Sequence, residues 1–167
     1  DADHAEPGTE GDGAVSCAPG AVCAVLTADC LPVLLCDRAG TRIGAVHAGW
    51  RGLAGGVIEA ACARLNLPAS DLMAWLGPAI GPRAFEVGAE VRNTFIAHDP
   101  AAAAAFEPHG ERWHADLHRL ANQRLAALGI TEVHGGEWCT YEDSARFYSY
   151  RRDGATGRMA TLIWIEG

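Results

Sequence analysis

Ala21-Val22-Cys23-Ala24-Val25-Leu26-Thr27-Ala28-Asp29-Cys30-Leu31-Pro32, followed by Arg42-Ile43-Gly44-Ala45-Val46-His47-Ala48-Gly49-Trp50-Arg51-Gly52, is the stretch whose reading decides the fold. Each half is an apolar run of strand length that closes on a side chain able to do chemistry, Cys30 in one and His47 in the other. Strand ends are where a rigid sheet presents side chains to a ligand. A thiol and an imidazole delivered that way form either a catalytic pair or two ligands of a soft metal.

Outward from these runs, helices and strands interleave. Gly13 to Ser16 reads as a short strand, as do Ala21 to Leu26, Pro32 to Asp37 and Arg42 to His47, with a turn at Arg38 to Thr41. Leu53, Val57, Ala60, Ala61 and Arg64 recur at helical spacing and predict a helix from Arg51 to Leu65, ended by Asn66 and Pro68. A buried strand, Leu72 to Leu76, runs into Gly77-Pro78-Ala79-Ile80-Gly81-Pro82, a rigid shaped loop. Further helices are expected at Gly88 to His98, at Ala101 to Ala105, and, opened by His114-Ala115-Asp116-Leu117, at Leu117 to Leu128 with a stop at Gly129. Strands at Thr131 to His134, near Phe147 to Tyr150 and at Arg158 to Ile165 complete a single layered α/β or α+β domain over residues 1–167.

The composition narrows the function classes. The chain has 167 residues, of which 49% are apolar and 20% charged, so one domain with a real core is expected. A net charge of -8 argues against a nucleic-acid or anionic-membrane surface, which needs clustered Lys and Arg. Only Arg146, Arg151, Arg152 and Arg158 make a locally basic segment, enough for a small anion. No apolar run reaches the roughly 18 residues of a spanning helix. The opening residues, acidic and Gly-rich, do not read as a signal peptide. The six cysteines contain no CxxC pair, and reduced thiols in a cytoplasmic protein fit them better than disulfides.

From residue type alone, a buried thiol and a hydrogen-bonded core histidine are the commoner fates of Cys30 and His47. Asp29 and Arg51 at the same strand ends favour a site, as do Gly49 and Gly52, which let backbone approach a ligand. Arg51, at a helix start beside His47, is the first candidate for holding phosphate, with Arg151 or Arg152 second. Asp29 would either orient His47 or accept a proton. Gly77 and Cys139 are candidate pocket walls, and Trp50, Phe85 and Tyr150 aromatic candidates for the ligand site. Two consecutive arginines, Arg151 and Arg152, are costly to bury without partners, although Asp153-Gly154 also suits a solvated hairpin. His98, His109, His114 and His118 read as surface or helix-face residues, and Val133-His134-Gly135-Gly136 as a decoy.

Four motifs together resemble the bacterial multicopper polyphenol oxidase family, also called the YfiH or laccase-domain family. They are Leu26 to Val33 with Ala45 to Gly52, Trp75 to Pro82 with Phe85 to Gly88, Phe147 to Asp153, and Thr156 to Ala160. The resemblance runs in order from Asp12 on. It implies a layered α/β/β/α sandwich with mixed sheets, similar to a toxin deamidase that uses a Cys–His pair. It further implies one zinc, or copper, held by Cys30, His47 and a histidine of a Gln-Val-His-Gly motif. That motif is not in this sequence and is expected upstream of Asp1, so the chain resembles the C-terminal two-thirds of a member. His4 is nearby but is not put forward as the ligand. Glu142 departs from the family pattern, which often has a second cysteine after Cys139.

The resemblance associates the chain with phosphorolysis of adenosine, inosine and methylthioadenosine and with adenosine deamination. Zinc with three protein ligands keeps a position open for water or substrate. Four-electron phenol oxidation needs several copper centres, which one Cys–His–His site does not supply. Copper in that site could still oxidise phenols weakly. The alternatives are a metal-free Cys30 nucleophile with His47 as base, editing peptidoglycan precursors by amide hydrolysis, and a purine-sensing module without turnover. The expected partners are a nucleoside and phosphate, with no nucleic acid, no membrane and no expectation for oligomeric state.

Overall fold

The computed structural model describes residues 10–166. Its centre is a five-stranded sheet built from β1 (Gly13–Ser16), β3 (Leu31–Asp37), β4 (Ile43–Ala48), β5 (Leu72–Leu76) and β9 (Glu132–Gly135), in the order β1-β4-β3-β5-β9. All neighbours are antiparallel except β5 and β9. Alternation along β3 and β4 explains the layering. Leu31, Val33, Leu35, Val46 and Ala48 face a large helical core, whereas Ile43 and Ala45, with Leu34 and Cys36, face a smaller core on the other side.

The second core is closed by a two-stranded antiparallel sheet of β2 (Val22–Thr27) and β10 (Met159–Trp164). Cys23, Val25 and Ile163 point inward, and Val22, Leu26, Leu162 and Trp164 lie exposed on the opposite face. On the helical side, α1 (Trp50–Ala54), α2 (Val57–Leu65) and α4 (Leu117–Ala127) cover the large sheet, and α3 (Ala89–His98) packs against α1. Arg124 of α4, with a side chain only 9% exposed, bonds Glu59 at 2.9 Å and the Ala54 carbonyl at 3.2 Å. It thereby ties three helices together at a position where an unpaired charge would be strongly destabilising. The layered, mixed-sheet α/β reading of the sequence therefore holds. Among the described residues no helix is long and apolar enough to cross a membrane.

Two expected elements differ, and one small sheet was not expected. The helix anticipated from Arg51 to Leu65 is two helices, because Gly55-Gly56 interrupts it and Gly56 adopts φ +88° in the left-handed region. The helix expected over Leu117 to Leu128, opened by His114 to Leu117, is α4, and its first residue is Leu117. Asp116 caps it by accepting from the Arg119 N–H at 2.9 Å, and His114 belongs instead to β8 (Arg112–Ala115). That strand forms a hairpin with β7 (Phe106–His109) and pairs on its other side with β6 (Glu86–Val87), a small third sheet that the sequence reading did not anticipate. The strand anticipated near Phe147 to Tyr150 is a turn leading into α5 (Tyr150–Asp153). Ser149 Oγ accepts from the Arg152 N–H there, and this local cap overrides the alternating Phe-Tyr-Ser-Tyr pattern.

Candidate active site

Strand pairing brings the two ends of the opening stretch together. Leu31 is registered against Ala48 and Pro32 against His47, so Cys30, one residue before β3, sits at the end of β4. A Cβ on Gly49 would stand 3.1 Å from Cys30 Sγ and 3.5 Å from His47 Cε1, so the chain passes close to both side chains of the pair. His47 Nδ1 is 3.0 Å from Asp12 Oδ1, and its backbone N–H donates to the Asp12 carbonyl at 2.6 Å. The hydrogen bond with the Cys30 side chain raises the His47 pKa to about 9, with burial opposing and Asp12 assisting. Burial pushes the Cys62 thiol up to about 11 and also raises Cys36, which marks both as inert core thiols.

Asp29 is engaged by donors other than His47. Its backbone is left-handed at φ +92°, a conformation costly for a residue with a Cβ. Its buried carboxylate accepts from Thr140 Oγ1 at 2.6 Å and from the Arg151 N–H at 2.7 Å. The orienting carboxylate on His47 is Asp12, and Asp29 joins the β2–β3 turn to α5. Both Asp29 oxygens are engaged by these donors, so it positions the cleft wall.

Leu26, Thr27, Asp29, Cys30, His47, Ile80, Phe85, Tyr150, Arg151 and Arg158 are among the residues around one cleft of about 480 Å³. Arg151 donates from Nη1 to the Glu86 carbonyl at 3.1 Å and lies 5.5 Å from the centroid of the Phe85 ring. Arg158 Nη1 donates to the carbonyls of Thr156 and Gly157, each at 3.0 Å. Of the sequence-nominated residues, the cleft thus gathers Cys30, His47, Asp29, Phe85, Tyr150 and Arg151.

Arg51, Gly77, Cys139 and Arg152 lie outside the cleft lining. Arg51 is exposed and stacks over its neighbour Trp50 at 4.4 Å. Gly77 is a packing position, since a Cβ there would come within 2.6 Å of Pro32 Cγ, and its carbonyl accepts from the buried His118 Nε2 at 3.0 Å. Cys139 Sγ accepts from the Gly81 N–H at 3.1 Å behind the Gly-Pro loop. Arg152 binds the carbonyls of Thr140, Tyr141 and Phe147 at 2.8 to 2.9 Å and both oxygens of Asp153 at 2.8 Å. His134, exposed on β9, sits 3.4 Å from Glu132, in keeping with its reading as a decoy. His4 lies outside the described residues.

Arg158 was noted in the sequence only as part of the basic segment, and Asp12 and Thr140 were not singled out. Arg158 immediately precedes β10, whose first residue Met159 is registered against Thr27 beside the Cys30 turn. Asp12 and Thr140 had no signal, because their contacts to His47 and Asp29 span 35 and 111 positions.

The donor chemistry at the pair fits a borderline metal such as zinc. A thiol and an imidazole meet, and the far ring nitrogen of the imidazole is held by a carboxylate, the outer-shell arrangement that orients metal-binding histidines.

Residues 1–166 match the family described as multi-copper polyphenol oxidoreductase laccase. A purine nucleoside phosphorylase of Pseudomonas aeruginosa is 57% identical over 157 residues, covering 93% of this chain and 65% of that protein. The purine nucleoside phosphorylase YfiH of Escherichia coli is 56% identical over 154 residues, 92% of this chain and 63% of its own length. The chain thus spans just under two-thirds of these curated relatives. The crystal structure of a Neisseria meningitidis protein superposes with a TM-score of 0.92 at 52% identity, covering 93% of this chain and 65% of that one. YlmD from Geobacillus stearothermophilus superposes with a TM-score of 0.86 at 31% identity, covering 93% and 61%.

Proposed function

The chain belongs to the multi-copper polyphenol oxidoreductase laccase family, and from that membership and the geometry of the cleft we propose that it carries the active site of a purine nucleoside phosphorylase. The observation that supports this most is the gathering, around one cleft, of a metal-type Cys30–His47 pair, two arginines and two aromatic rings. Its volume of about 480 Å³ lies in the range of small-molecule sites.

In this reading Arg151 and Arg158 hold phosphate against the ribose C1′, and Phe85 and Tyr150 face the purine. Arg51, turned onto Trp50, gives up that role. Phosphorolysis breaks the bond from C1′ to the base nitrogen, forms a bond from C1′ to a phosphate oxygen, and returns a proton to the departing purine. Most of what a protein contributes to such a displacement is positioning and charge stabilisation. Cys30 and His47 would hold the zinc, and a bound zinc would supply Lewis-acid polarisation. Asp12 fixes the orientation of His47, and Asp29 fixes the backbone of Arg151. Adenosine deamination, exchange of the C6 amine for oxygen from water, belongs to the same proposal. Copper competes for the same donors, and copper in the site would support weak phenol oxidation beside the main reaction. A cytoplasmic location accords with free thiols at Cys30, Cys36, Cys62 and Cys139.

The test is conversion of inosine to hypoxanthine by zinc-loaded protein, with and without phosphate. Hypoxanthine formed only with phosphate supports the proposal. Conversion that ignores phosphate, or none in either condition, overturns it.

A further inference from the structure

A second set of metal-type donors lies on the three-stranded sheet. Glu86, His109 and His114 bring a carboxylate oxygen and two imidazole nitrogens within 4.8 Å of one another. We propose that these three side chains bind one divalent transition-metal ion of the zinc class, through a donor set separate from Cys30 and His47.

Register places them together. Glu86 is paired with His114 across β6 and β8, and His109 is paired with Arg112, two residues before His114, so all project from the same face. The two imidazole rings stack with centroids 4.1 Å apart and planes 16° from parallel. The Glu86 carboxylate is divided between two neighbours: Oε1 lies 3.4 Å from Arg112 Nη1 and Oε2 lies 3.7 Å from His109 Nε2. Arg112 therefore steers one oxygen and leaves the other toward the histidines, which suits a single-oxygen ligand. The Glu86 backbone is also anchored, through its carbonyl, by Arg151.

Two imidazoles with one carboxylate are a zinc donor set, whereas magnesium and calcium favour all-oxygen shells. The His109 side chain is 56% exposed and that of Glu86 36%, so an ion enters from solvent and water completes its coordination. Neither histidine forms part of the cleft lining, and the inference stands or falls independently of the phosphorylase reading.

The experiment is a calorimetric zinc titration of metal-stripped protein in a Cys30→Ala background, with and without His109→Ala/His114→Ala. Circular dichroism confirms the fold of each. The Cys30→Ala protein is expected to bind a single zinc, and removing both histidines to weaken that binding at least tenfold. Absence of zinc binding in the first protein, or unchanged binding in the second, overturns the proposal. Should the Cys30 background not fold, two substitutions in the otherwise unaltered chain decide the matter. His109→Ala/His114→Ala should lower zinc stoichiometry by one, and Glu86→Gln should weaken that site tenfold. Unchanged stoichiometry and affinity would overturn it.

Discussion

At the end of the large sheet, Cys30 and His47 are placed by backbone: β3 and β4 pair up to Leu31–Ala48, and Gly49 passes against both side chains. In the neighbouring wall from Trp138 to Gly154 the order is reversed, and side chains place the backbone. Arg152 gathers three carbonyls, Asp29 ties Thr140 to the Arg151 amide, and Ser149 caps α5. Strand pairing leaves a side chain at liberty to act, whereas a loop uses its polar side chains to satisfy its own peptide groups. The difference explains why two adjacent arginines have unlike roles. The Arg151 guanidinium borders the cleft, and that of Arg152 is part of the scaffold.

The comparison predicts a graded set of outcomes. Cys30→Ala should remove about 10³-fold in kcat/KM for inosine, roughly 4 kcal/mol of transition-state stabilisation, with little change in Tm. Steady-state assays and melting curves on one preparation check both halves. Asp12→Ala should cost about 10- to 100-fold in zinc affinity, the usual effect of losing an outer-shell partner, read by competition with a chelating dye. Asp29→Ala should destabilise the fold by about 1–3 kcal/mol, because it leaves the Thr140 hydroxyl and the Arg151 N–H without their acceptor. Urea unfolding measures that loss, and an unchanged midpoint would show that the wall does not depend on Asp29. At the small end, Glu142→Ala should leave Tm unchanged, since its pair with Arg83 is solvent-exposed on both sides.

How far the sequence speaks follows the same division. The strands that carry Cys30 and His47 were legible because their apolar runs are long and bounded by turns. The wall was not. Phe147 to Tyr150 has strand-like alternation, and only contacts from Ser149 and the distant Asp29 make it the start of a helix. Arg51 looked fit for phosphate at a helix start, yet Trp50 beside it offers a ring face, a preference that local spacing does not express. Asp12 sits in an acidic, Gly-rich stretch with no periodicity, so nothing marked it as the partner of His47. The β7–β8 hairpin was hidden because Phe106 to Ala115 lacks a sustained alternation, although Gly110 at φ +58° supplies its turn.

The most direct test of the account is phosphate-dependent hypoxanthine release measured side by side for Cys30→Ala and Arg152→Ala, each also followed by thermal melting. Cys30→Ala should melt normally and lose about 10³-fold in kcat/KM, whereas Arg152→Ala should melt several degrees lower and keep its kcat/KM at temperatures where it is folded. A fully active Cys30→Ala protein, or an Arg152→Ala protein that melts normally and has lost turnover, would contradict the account.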